Sequence, residues 1–211
     1  MMGETIQTLP QEAMHESLFL SGSLALDLVN TEIIVRDKKR DMLSSTAALA
    51  RWWDEACEQH PDDCHFVVLE KPINWNTNLL LEVKMLRTVL RTLYTCLIEQ
   101  QSLDEDTFEY LNRILALGYP ALHKTTAQSV KPVIRLRDPQ QGAIILPIAL
   151  SALHLFTTKD QQRLHVCKNE RCILFFYDTT RSGTRQWCSL SCMHRSRSFH
   201  NYHKNNVATH A

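Results

Sequence analysis

The sequence predicts a mainly α protein with a small β-hairpin, in which a helical N-terminal domain precedes a C-terminal cysteine module of treble-clef or ribbon-like type. Three observations carry that prediction. Leu79, Val83, Leu86, Leu90, Leu93 and Leu97 recur at alternating spacings of four and three, the pattern of a long helix with one buried stripe. Val133 to Arg137 alternates apolar and polar residues and is followed by turn residues, Asp138-Pro-Gln-Gln-Gly142, which reads as a hairpin. Four cysteines, Cys167, Cys172, Cys188 and Cys192, fall in two close pairs in the last fifth of the chain.

Length and composition agree. A chain of 211 residues holds one sizeable core and a small appended module. A hydrophobic content of 44% with five glycines suits a compact helix-rich protein. The expected divisions are a flexible N-terminus over 1–17, a helical domain over 18–160, the cysteine module over 161–204 and a tail over 205–211. The opening residues lack the basic and apolar regions of a signal peptide. No apolar run reaches the roughly 20 residues of a membrane span. A soluble, cytoplasmic chain is the expectation.

Taken in order, Leu18–Ile34 is the first structured element, with Asp27, Asn30 and Thr31 set among apolar residues. Such polar residues usually serve caps and turns. Ser44 or Ser45 can cap a helix through Trp52 and Trp53 to Cys57, broken at Pro61. Residues 65–78 read as a brief strand or an extended loop, since Pro72 prevents a long helix. The leucine-seam helix follows over 79–99, with Arg87 and Arg91 off the seam. Ser102 and Glu105 form a capping-box pattern for a helix ending at Gly118. Ala143–Leu146 would complete the hairpin, and Pro147 opens a helix to about Phe156. Thr157–Asp160 is too short for a free tether, so the cysteine module should dock on the helical domain.

The cysteine pairs have the spacing C-x4-C, fifteen residues, C-x3-C. In a reduced compartment such clusters bind metal more often than they form disulfides. Four thiolates satisfy the tetrahedral preference of Zn²⁺ and leave no open position, so one structural zinc is expected. His165, His194, His200 and His203 lie close enough to offer a Cys3His alternative. Cys57, Cys64 and Cys96 read as small buried hydrophobes. Residues 163–204 carry eight basic against two acidic residues, a net of +6, while the whole chain sums to zero. Part of that charge offsets the formal −2 of a Zn²⁺-thiolate centre. The rest makes either an anion-facing surface or a solvated basic face.

This segment resembles the CGNR zinc finger. The resemblance rests on Cys167 and Cys172, Phe175-Phe176-Tyr177-Asp178, Arg185-Gln186-Trp187-Cys188-Ser189 and Cys192-Met193-His194-Arg195. The Gly and Asn of the signature are Met193 and His194 here. The stretch from Ser21 to Glu32, with Asp41-Met42-Leu43 and Leu49 to Trp53, resembles the ABATE domain that accompanies this finger, in which an LDxxNT segment is a hallmark.

The resemblance implies a DNA-binding transcriptional regulator. A rigid zinc scaffold would present Arg181, Arg185, Arg195, Arg197 and Lys204 to phosphates. The helical domain would be a sensor or dimerisation unit, with Asp27 and Asn30 as candidate ligand contacts. DNA is then the expected partner, a membrane is not, and a homodimer and a small-molecule effector are left open. Two other readings stand beside it: a zinc-stabilised protein-interaction module, and a small-molecule-binding protein or enzyme with its ligand contacts around Asp27, Asn30 and Arg87. Phosphate-cradling GxxxxGK[ST], GxGxxG and HExxH motifs are absent, and no enzyme is expected.

Overall fold

A computed structural model of the chain describes residue 19 and residues 22–126 and 128–208, with side chains through Phe199. The expected flexible N-terminus lies outside the described residues, as do the side chains of His200, His203 and Lys204.

The first helix, α1 (Leu24–Val29), is buried at all six positions. A helix apolar on nearly every face must sit inside the core, and α1 packs against the long helix and the last helix of the helical domain. A tight hairpin follows, β1 (Glu32–Val35) and β2 (Lys38–Asp41), paired antiparallel with Val35 opposite Lys38. Arg36 and Asp37 turn the corner with φ of 50° and 61°. Helix α2 (Thr46–Gln59) begins at Ser45, whose hydroxyl accepts from the Ala48 amide. Pro61 ends α2 and also opens a short helix, α3 (Pro61–Phe66), at whose first turn its missing N–H costs nothing.

Helix α4 (Thr77–Glu99) is capped by Asn76 and buries Val83, Leu86, Leu90 and Leu93 of the leucine seam. It also buries Arg87 and Tyr94. Helix α5 (Glu105–Leu115) is capped by Asp104, not Ser102. Helix α6 (Ile145–Thr158) includes Pro147 in its first turn and runs slightly past Phe156.

The hairpin is longer than expected and lies one segment earlier. It pairs β4 (Gly118–Thr126) with β5 (Ser129–Leu136). Gly118 therefore opens a strand, and a Cβ there would stand 2.6 Å from side-chain carbons of Ile134 and Leu146. The Asp138–Gly142 turn leads into α6, whose first turn, Ile145–Ile148, is buried all round. A two-residue strand, β3 (Val67–Val68), joins β5 in parallel to give the order β3-β5-β4. With about 49% helix and 19% strand and seven helices among the described residues, the molecule is mixed α/β, where mainly α was expected.

A short 3-10 turn (Gln161–Arg163) links α6 to a second small hairpin, β6 (Leu164–Val166) and β7 (Phe175–Tyr177), and then to α7 (Leu190–Ala208). Leu164 and Phe175 belong to the same hydrophobic cluster as α1, α2, α4 and α6. Ile33 on β1 packs on the smaller cluster around the cysteines. The cysteine module is thus packed against the helical body on two sides. Among the described residues, no helix is long and apolar enough to cross a membrane.

Candidate metal centre

The two hairpin strands and the start of α7 converge on four sulfurs. Cys167 leaves β6, Cys172 lies in the β6–β7 turn, Cys188 precedes α7 and Cys192 sits in its first turn. All four Sγ atoms lie within 4.8 Å of one another, and three of the four residues are buried. Cys172 and Cys188 are 3.7 Å apart, and Cys188 and Cys192 are 3.5 Å apart. A disulfide would need about 2.05 Å. The edge of a Zn–S4 tetrahedron with bonds of about 2.3 Å is about 3.8 Å. The spacings fit one zinc ion, and among the described residues the group contains no histidine.

Electrostatics point the same way. Hydrogen bonding, from Cys172 first, holds the Cys167 thiol down to about 7. Hydrogen bonding involving Cys167 holds Cys192 far below the usual thiol range and pushes Cys172 and Cys188 far above it. Four thiols this close cannot all ionise unaided. A divalent cation removes the conflict, and the energy of its binding becomes folding energy.

Neighbouring groups hold the sulfurs in place. The Cys188 amide faces Cys167 Sγ at 3.4 Å, and the Arg195 guanidinium donates to Cys192 Sγ at 3.0 Å. Asn169, which sequence reading passed over, is buried and links the two cysteine pairs. Its Oδ1 accepts from the Arg171 amide and its Nδ2 donates to the Cys192 carbonyl. An Asn two residues after a ligand cysteine, able to close an Asx turn, is the signal that would have found it. Asp178 is fully buried and accepts amide hydrogens from Thr180 and Arg185 at 2.8 Å each. Burial works to raise its pKa, but the bonds from Thr180 and the Arg185 backbone prevail and hold it at about 2.

The predicted cations separate into two groups. Arg185 is spent inside the module, donating to the carbonyls of Trp187 and Cys188 and lying 4.9 Å over the Phe176 ring. Arg195 is exposed but donates to a ligand sulfur. Arg181 and Arg197 are exposed, while the Lys204 side chain lies outside the described residues. Met193 is half-buried and His194 exposed on α7.

Asp27, Asn30 and Arg87, expected as ligand contacts, each have polar partners within the protein. Asp27 meets His60 at 2.6 Å, with no exposure of its own. Asn30 pairs with the Phe175 backbone in both directions, accepting its N–H and donating to its carbonyl at 2.9 Å each. Arg87 is 4% exposed, grips Asp41 with two nitrogens and donates to Thr31. Arg91 donates to Val29 and to Ile173 of the cysteine module. The LDLVNT segment therefore fastens the module to the body. Cys57 and Cys64, expected as isolated hydrophobes, hydrogen-bond to each other, which lowers the first thiol's pKa and raises the second's.

A mixed helical body clasping a four-cysteine zinc site defines a zinc-finger protein. Residues 22–159 match the family model ABATE, described as "Putative stress-induced transcription regulator". Residues 163–204 match the CGNR zinc finger. The chain belongs to the ABATE family and carries a C-terminal CGNR zinc finger. No curated protein matches it significantly.

Proposed function

We propose that the chain is a DNA-binding transcriptional regulator whose finger supplies the DNA-facing surface. The observation that carries this reading is a rigid four-thiolate scaffold in a segment of net charge +6, with Arg181 and Arg197 left exposed. Cations on a fixed scaffold meet phosphates without a backbone-ordering cost, and phosphate contacts give affinity and register. The reading takes the finger, over 161–204, as treble-clef or ribbon-like, with the first cysteine pair in the turn of a hairpin and the second at a helix start, and takes the helical domain as 18–160. The reading takes the cytoplasm as compartment and assigns no catalytic role; a homodimer and a small-molecule effector are compatible with it.

One observation favours a second reading, a protein-docking module: Arg185, and in part the exposed Arg195, are bonded to the finger's own atoms and contribute less to a phosphate-facing surface. Salt separates the two. Zinc-loaded protein titrated with duplex DNA should lose affinity steeply as salt rises, with a log–log slope of about −0.9 per phosphate contacted. Arg197→Glu should bind about tenfold more weakly with a slope shallower by about 1, at unchanged zinc content. Absent or salt-indifferent binding would favour the docking module.

A further inference from the structure

The helical body holds a second feature, distant in the sequence from the LDLVNT segment and made by other elements. Helices α4, α5 and α6, with Leu103 and Gln161 beside them, frame an open cavity of about 340 Å³. Its deep wall includes Leu93, Leu111, Ala149 and Ala152, all buried. Its mouth is flanked by Phe108 and Leu153, which remain 39% and 41% exposed. Ordinary cores close such space, because unfilled volume forfeits dispersion contacts. Here the closing side chains stop short and two large apolar residues stand open to water.

We propose that this cavity is a binding site for a neutral, largely apolar small molecule with a single polar head group. Size supports this, since the volume falls within the roughly 300–1,000 Å³ of small-molecule pockets. The wall supports it too. None of the lining side chains is charged, so an ionised ligand would lose hydration without gaining a counter-ion. The polar side chains in the lining are two amides, Asn112 on α5 and Gln161 in the 3-10 turn. An amide can donate to or accept from an alcohol, an ester or a phenol. Gln161 already donates to the Phe156 carbonyl at 3.1 Å, so Asn112 is assigned as the contact for the head group. The apolar body would cover Phe108, Leu153 and Phe156, a release of water that drives association. The proposal is independent of whether the finger binds DNA.

The test uses the zinc-loaded full chain and N-phenyl-1-naphthylamine, a neutral apolar fluorophore. Saturable binding of one probe per chain is expected, with a Kd of roughly 10–100 µM for about 17 non-hydrogen atoms. 1-Decanol should displace it, and decanoate should do so at least tenfold less well. Leu153→Trp, at an exposed position, should plug the mouth and weaken the probe tenfold or more while zinc content and circular dichroism stay unchanged. Asn112→Lys provides an independent check by placing a cation at the rim. Decanoate should then gain about tenfold, with the neutral probe little altered. The proposal is overturned by absence of saturable binding, by decanoate matching decanol in the unaltered chain, or by indifference of both ligands to both substitutions. If the probe does not bind and the chain sediments as a dimer that Leu153→Asp dissociates, the cavity is a contact between copies and not a ligand site.

Discussion

Asn30 does in one side chain what a neighbouring strand would otherwise do. Its carboxamide supplies an acceptor and a donor to Phe175, so the amide and carbonyl of β7 are satisfied from α1. All of these groups are buried, and truncation would strand the Phe175 N–H and C=O without solvent. Asn30→Ala should cost about 2–4 kcal/mol, read as a lower denaturant midpoint at unchanged slope. A loss under about 0.5 kcal/mol would show that the clamp adds nothing. Asp41 serves the neighbouring hairpin by a different means. Burial works to raise its pKa, but hydrogen bonds from Arg87 and Lys84 overcome this and hold the carboxyl well below its usual range. A depressed folded pKa means that the stabilisation is present above the unfolded value, near 3.9, and is lost as pH falls through the folded one. Asp41→Asn should therefore be less stable by about 2 kcal/mol at pH 7, because Arg87 loses its main partner. That gap from the parent should narrow progressively below about pH 4. A gap independent of pH would mean that the pairing is not ionic. Comparing parent and variant at each pH cancels the loss of zinc that acid also causes.

At the scale of elements, periodicity and capping made the helices legible. Helix α4 follows its leucine seam almost to the residue, and Ser45 caps α2 as its hydroxyl suggested. The strands were less legible, for identifiable reasons. The β1–β2 turn uses Arg36 and Asp37 at positive φ, where a sequence signal would be Asn-Gly or Asp-Gly. Val133–Arg137 alternates as a strand should, but its partner is the preceding segment, in which Pro120 and the polar run His123 to Thr126 obscure the pattern. Burial patterns also cannot show which polar residue faces which. The two cysteine pairs identified the candidate site, whereas the bonds of Arg185 and Arg195 to the finger's own atoms depend on contacts that charge counting does not contain. Gly118 gives an element-level test, because it is needed for close approach and not for its φ. Gly118→Ala would drive a methyl into Ile134 and Leu146. We expect a loss of about 1–3 kcal/mol, the usual cost of overpacking, visible as a lower midpoint in urea. An unchanged midpoint would show that β4 can shift away from α6 freely.

At the scale of the whole molecule, the finger and the body share one core. Phe175 of β7 meets the ring of Tyr94 on α4, with centroids 6.0 Å apart, and Tyr94 meets Phe156 on α6 at 5.6 Å. Arg91 lies over the same Phe175 ring and donates to carbonyls on both sides of the junction. Zinc holds β6, β7 and the start of α7 together, so its removal should loosen the module that supplies Phe175 and Leu164 to the larger core. Losing those two side chains and the Asn30 pair should remove about 5 kcal/mol or more from the body. In a chain of this size that corresponds to a fall of about 10–20 °C in Tm. The measurement is thermal unfolding followed at the far-ultraviolet helical signal, with and without a chelator, alongside Cys192→Ser, which removes one ligand without adding a reagent. Both treatments should produce the same lowered transition, since both act through the metal. If the body melts unchanged while the finger's aromatic signal is lost, the two parts fold independently and the shared contacts carry little energy.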